Sequence, residues 1–312
     1  MKIRLGYACI SETLNVTTSS TYTYTNYLKT HDLNKLSKII ISNLENLEQV
    51  LLYNIKNNIH FYRLSSKLIP LATKSDVEFD YIKEYKNIYD RLGKIIDDNN
   101  LRVDFHPDQF CVLNSVHEDI VENSIETLKY HYQILDALHI KEKVLILHIG
   151  SNVFGKEKSL QRFIKKFKSL PKYLQEVIAI ENDDKVFTIE DCIYLNKVLD
   201  IPIVLDYHHF YCNHIDDNIE KYLDTIFSSW KGKTPKVHFS SPKNSTKKEI
   251  RSHHDYINAD TFISFINTIK NYNYDIDIML EAKRKDDALF NLVRLLKYKT
   301  DYEFIDDTTF LI

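Results

Sequence analysis

The sequence predicts an α/β protein, a single (β/α)8 TIM barrel spanning residues 1–312. Three observations predict it. Eight apolar strand patterns alternate with amphipathic helical patterns, no linker or low-complexity seam divides the chain, and no Gly-rich phosphate turn follows any strand. The last point separates a closed barrel from an open, doubly wound sheet, whose local pattern is the same.

The elements follow in order. Residues 3–9 read as the first strand. The long helical pattern over 33–57 comes next, with Leu36, Ile39, Ile40, Leu44, Leu47, Val50 and Leu51 near i, i+3, i+4 spacing. Strands over 60–64, 101–105 and 144–149 pair with helices over 81–98, 119–138 and 160–170. Strands over 177–180, 203–205 and 236–239 pair with helices over 189–199, 217–230 and 260–269. The strand over 276–280 and the helix over 288–297 complete the eighth unit. Asp260, just before an apolar run, reads as a helix N-cap.

Composition narrows the function. The 312 residues are 44% hydrophobic and 27% charged, which supports a large core and excludes disorder. Glycine occurs only 5 times, with neither GxGxxG nor GxxxxGK[ST], which argues against dinucleotide and P-loop chemistry. A net charge of −3 supplies no bulk attraction to nucleic acid, so such a partner needs a local basic face. Cys9, Cys111, Cys192 and Cys212 show no CxxC spacing and read as reduced thiols of a cytoplasmic protein. No apolar run has the length of a membrane span, so no membrane partner is expected.

Barrel enzymes place their chemistry at the C-terminal strand ends. Here strand three ends at His106, strand four carries His148 and strand five ends at Glu181-Asn182. Strand six ends at Asp206 with His208 and His209 beyond, strand seven carries His238, and strand eight ends at Glu281. The loop after strand seven adds His253, His254 and Asp255. One histidine at a strand end is usually a hydrogen-bonded structural residue. Six consecutive units ending this way converge on one mouth. Imidazoles and carboxylates gathered there are ligands for divalent cations, and their number exceeds one ion's coordination. At least two ions follow, with Glu181 in the middle of the constellation as the natural bridge. Close ions suit displacement at phosphorus, by activating water and stabilising the leaving oxygen. They equally suit aldose–ketose isomerisation.

The ordered set YRLSSKLIPLA, DFHPDQF, LHIGSNVFGKEKSLQRF, IAIENDD, VLDYHH, PKVHFSS, HHDYI and MLEAKRKD closely resembles the UV damage endonuclease family, from IRLGYAC to about residue 290. The resemblance implies a barrel with up to three divalent ions, manganese foremost, with zinc, magnesium or cobalt as alternatives. It implies incision of double-stranded DNA immediately 5′ to cyclobutane pyrimidine dimers and 6-4 photoproducts, with abasic sites as a further substrate, leaving a 3′-hydroxyl and a 5′-phosphate. It implies metal ligation by His106, His148, Glu181, Asp206, His209, His238, His253 and Glu281. Catalysis is expected from Glu181, Lys236 and Glu281; Lys236 matches a lysine that relatives can carboxylate among the metals. Tyr7 and the pair Gln109-Phe110 match residues that enter the duplex and probe the lesion. Two positions depart from relatives: Lys67 stands where one has a histidine, and Phe110 where some have tyrosine.

The basic loop after strand seven, with Lys243, Lys247 and Arg251, is the expected phosphate contact, and Lys156, Lys158 and Arg162 are further candidates. Tyr22, Tyr24 and Tyr27 either rim the DNA groove or pack. No organic cofactor is expected, and the chain is expected to act as a monomer. Two other classes remain: a metal-dependent sugar isomerase or epimerase on the same barrel, and a non-catalytic binder of damaged DNA.

Overall fold

Gly6 marks how closely the first two strands approach. A Cβ on Gly6 would lie 2.4 Å from the carbonyl oxygen of Phe61. In this computed structural model, which describes residues 1–246 and 249–312, eight strands run parallel. They are β1 (Lys2–Ala8), β2 (Phe61–Arg63), β3 (Arg102–Asp104), β4 (Leu145–His148), β5 (Ile178–Glu181), β6 (Ile203–Asp206), β7 (Lys236–Phe239) and β8 (Ile276–Leu280). Their spatial order is β3-β2-β1-β8-β7-β6-β5-β4, and a bridge between Phe105 and Leu145 joins the two ends into a nearly closed barrel.

The helices form the outer ring. Leu33–Lys56 runs within one residue of its predicted span, and its Asp32 cap accepts the amide of Lys35 at 2.9 Å. The predicted helix over 81–98 is broken at Tyr85 into Tyr81–Glu84 and Lys86–Asp98. Asp260 is not the N-cap of Ala259–Ile269. Asn258 holds that place, its Oδ1 accepting from the amides of Asp260 and Thr261. A C-terminal hairpin, β9 (Glu303–Phe304) and β10 (Thr309–Leu311), was not predicted; β10 pairs antiparallel with the start of β1. Among the described residues, no helix is long and apolar enough to cross a membrane.

The barrel interior is layered. At its base, Arg4 grips Asp277 through Nε and Nη2 at 2.6 and 2.7 Å. Arg102 adds a bond from Nη1 to the same carboxylate at 2.7 Å and stacks over Trp230, the only tryptophan. Above this, Ala8, Phe61 and Met279 pack together, and the Lys236 ammonium is paired with Asp104. The third layer is the polar pit at the mouth. Alternate residues of β1, Ile3, Leu5 and Tyr7, instead join the large apolar core shared with the helices.

Candidate metal centre

Register places the ligands. A parallel pairing sets His148 beside Glu181, and another sets Asp206 beside His238. Each is at or near the last residue of its strand, and side chains alternate along a strand. These residues therefore face inward at one height. Asp206 ends β6 and caps the short helix Tyr207–Cys212, its Oδ1 accepting the amide of His209 at 2.7 Å. That turn of helix returns His209 toward the pit, with Nδ1 3.6 Å from Asp206 Oδ2.

Three groups each bring their ligand atoms within 4.8 Å of one another: His106, His148 and Glu181; Glu181, Asp206 and His209; Asp206, His238 and Glu281. Glu181 joins the first two and Asp206 the last two, so the groups form a chain. His106 Nε2 lies 2.7 Å from Glu181 Oε2, and His238 Nδ1 lies 2.6 Å from Glu181 Oε1. His253 stands one step outside, its Nδ1 3.9 Å from Glu281 Oε2.

The electrostatics favour added cations. Burial opposes the charge of Glu181, but the imidazoles of His238, His148 and His106 outweigh it and hold the carboxyl well below its usual range. Asp206 goes the other way. Burial, together with Glu181 and Glu281, lifts it to about 8 despite His209. His148 is pushed down by burial, so its ring is neutral with a lone pair available. Asp206 Oδ2 and His148 Nδ1 are buried without a hydrogen-bond partner. Buried polar atoms of native folds are otherwise paired. Unsatisfied acceptors beside neutral imidazoles and carboxylates are the donor set that divalent metal ions take.

The surrounding groups orient these ligands. His106 Nδ1 donates to the Pro107 carbonyl at 3.0 Å and His209 Nδ1 to that of Asn182 at 3.0 Å, which fixes both rings. Asn182, fully buried, ties the ends of β5 and β6 through two bonds with the Asp206 backbone at 2.9 Å. Arg63 is the residue that sequence reasoning undervalued. Its Nη1 sits 2.6 Å from Glu281 and its Nη2 donates to His238 Nε2 at 2.8 Å. The signal was present, an arginine at the end of an otherwise apolar strand, where burial demands a partner.

Other expected residues lie elsewhere. Lys236 is not at the mouth: it is fully buried one layer down, its ammonium directed to Asp104. Tyr7 cannot enter a duplex from where it stands, because it is fully buried with its hydroxyl on Asn54 at 2.8 Å. The alternation of β1 turns it toward the helices. Tyr22 and Tyr27 are packed, not rim residues, at 3% and 5% exposure. Gln109 and Phe110 do project, Phe110 at 75% exposure, on a turn where Asp108 Oδ1 accepts the Phe110 amide. Lys67 is exposed. Lys243 pairs with Glu249 and Arg251 approaches Asp184 at 3.6 Å, so the basic loop is partly neutralised from within. Lys247 lies outside the described residues. Lys156 is paired with Asp191, and Arg162 donates to backbone carbonyls of neighbouring loops.

Three comparisons with known proteins give matches over most of the chain. A family model described as UV-endonuclease UvdE matches residues 3–309. The UV DNA damage endonuclease of Bacillus cereus (strain B4264) is 38% identical over 300 residues, covering 94% of each chain. The crystal structure titled SacUVDE superposes with a TM-score of 0.87 at 32% identity, covering 95% of this chain and 98% of that one. Endonuclease IV from Thermus thermophilus shares the fold alone, with a TM-score of 0.58 at 13% identity, covering 95% of this chain and 98% of that one.

Proposed function

The chain belongs to the UV-endonuclease UvdE family, and on that premise we propose that it cuts the damaged strand of duplex DNA immediately 5′ to a UV photoproduct. The substrates are cyclobutane pyrimidine dimers and 6-4 photoproducts, with abasic sites as a further class, and the products are a 3′-hydroxyl and a 5′-phosphate. The observation that best supports this is the chain of three His/carboxylate groups joined through Glu181 and Asp206.

His106, His148 and Glu181 would hold one divalent ion, Glu181, Asp206 and His209 a second, and Asp206, His238 and Glu281 a third, with His253 at its outer side. Such ions, manganese foremost, supply a water of lowered pKa and neutralise charge on the departing oxygen. The chain's own residues do the rest. In the metal-free chain His106 and His238 hold both oxygens of Glu181 in place. Arg63 steadies His238 and Glu281. Phe110 presents an apolar ring at the mouth, of the kind that wedges between stacked bases. Gln109 beside it offers an amide to the bases left unpaired. A damaged, poorly stacked step costs less to kink and open, which favours the lesion over intact duplex.

The test is incision of a duplex carrying one thymine dimer, with purified protein and Mn²⁺. The expected result is a single nick 5′ of the dimer, no nick in the undamaged duplex, and no turnover of a free ketose. No nick beside active relatives overturns the reading.

A further inference from the structure

Four exposed apolar side chains stand on neighbouring loops at the mouth: Phe110 at 75% exposure, Phe154 at 73%, Val153 at 42% and Val116 at 39%. They lie on the loops that follow β3 and β4, and those loops are stitched together. Asn114, fully buried, donates from Nδ2 to the Ser151 carbonyl at 2.9 Å and accepts the Ser151 amide at 2.7 Å. Arg162 donates to the carbonyls of Asn114 and Val153 at 2.8 and 2.6 Å. Gly150, at φ +108°, completes the joint, since a Cβ there would meet Asn114 Oδ1 at 2.8 Å. The loop carrying Phe154 is therefore fixed against the one carrying Gln109 and Phe110.

Phe154 itself sits at φ +66°, the left-handed region that disfavours a residue with a Cβ. Its ring gains no burial in return. An aromatic held out to solvent on strained backbone gains its benefit from something outside the chain. The surroundings indicate the chemistry of that partner. A groove beside Phe154 is lined by Leu113 and Val116 together with Arg162, Lys165, Lys166 and Glu118. Lys166 is paired with Glu118 at 2.7 Å, while Lys165 is exposed. A planar apolar surface and cations lining one groove match a nucleotide, base to ring and phosphate to ammonium.

Resting on the endonuclease reading above, we infer that Phe154 and this groove form a second stacking subsite, which takes an unstacked nucleotide of the DNA strand flanking the lesion. Phe110 and Phe154 are then two apolar planes on one rigid double loop. Phe110 meets the lesion, and Phe154 holds its neighbour with the phosphate directed to Lys165.

The test measures binding of a duplex with one thymine dimer in a Glu181→Gln background, so that the strand is not cut. Phe154→Ala and Phe154→Gly should each weaken binding about ten-fold, and Phe154→Tyr should bind like the parent. Phe154→Gly should also unfold at a higher temperature than the parent, because glycine relieves the left-handed backbone. Lys165→Ala should lower the salt slope of binding by about one. Unchanged affinity in Phe154→Ala and Phe154→Gly, beside a loss in Phe110→Ala, overturns this inference alone. No binding of damaged DNA by the parent overturns it together with the endonuclease reading.

Discussion

Lys236 and Asp104 form an ion pair enclosed in the barrel, one layer beneath the ligand pit, with both side chains inaccessible to solvent. Burial drives the lysine well below its ordinary pKa, as do the neighbouring charges of Arg63 and Arg102. Removing one partner strands the other charge in the interior. Lys236→Met should cost about 3–5 kcal/mol, and Lys236→Met with Asp104→Leu should recover most of it. Denaturant unfolding followed through the single, buried Trp230 reads both values. A double variant as unstable as the single one would show that packing, not charge, is the cause.

Arg63 touches Glu281 and His238, so it would act on incision through the groups it positions. Its fork reaches Glu281 and His238 together, which a lysine cannot do. Arg63→Lys should therefore lower metal affinity and incision by roughly 10–100-fold while the fold survives. Titration of Mn²⁺ alongside the incision rate checks this, and saturating Mn²⁺ should restore much of the rate.

The chain of ligand groups makes two carboxylates unequal. Glu181 belongs to two groups and Glu281 to one. Glu181→Gln should lose tight binding at two ions and Glu281→Gln at one, and both should abolish cutting. Metal content after gel filtration distinguishes them, and equal losses would contradict the shared role of Glu181.

Metal binding should be strongly pH-dependent. In the metal-free chain, burial and neighbouring carboxylates lift Asp206 to about 8; burial opposes the charge of His209, but Asp206 and Glu181 carry it to about 9. Near pH 7 both groups are therefore largely protonated in the folded pit, and metal ligation must release those protons. Apparent affinity should rise from pH 7 to pH 9, with proton release visible as a buffer-dependent heat. Stability runs the opposite way. Both folded pKa values exceed the unfolded ones, so the folded state binds more protons in this window, and the metal-free chain loses stability as pH rises toward 9. The loaded chain should not, and thermal unfolding with and without Mn²⁺ tests the pair of statements.

Much of the fold was legible because it rests on local periodicity. The spans Ile189–Leu199, Lys236–Phe239 and Ile276–Leu280 coincide with the apolar patterns that predict them. The candidate ligands of six consecutive units were legible because each lies at or beside the end of an apolar strand, and the repetition gave them a common direction. The C-terminal hairpin was not, since β10 is a strand only by pairing with β1, at the opposite end of the chain. Arg63 closes β2, but its role depends on two partners that arrive from β7 and from just beyond β8.

The sequence alone determined the alternation that makes a barrel and the residue types that its mouth presents. Only the tertiary structure decided which face each residue takes. One register turns Tyr7 out to the helices and Lys236 inward beneath the pit. It also brings Glu181 and Asp206 into the two shared positions that link the ligand groups. The reason is physical: a strand's side chains alternate every residue, so a local pattern fixes that two faces exist, while the neighbours across the sheet fix what each face meets.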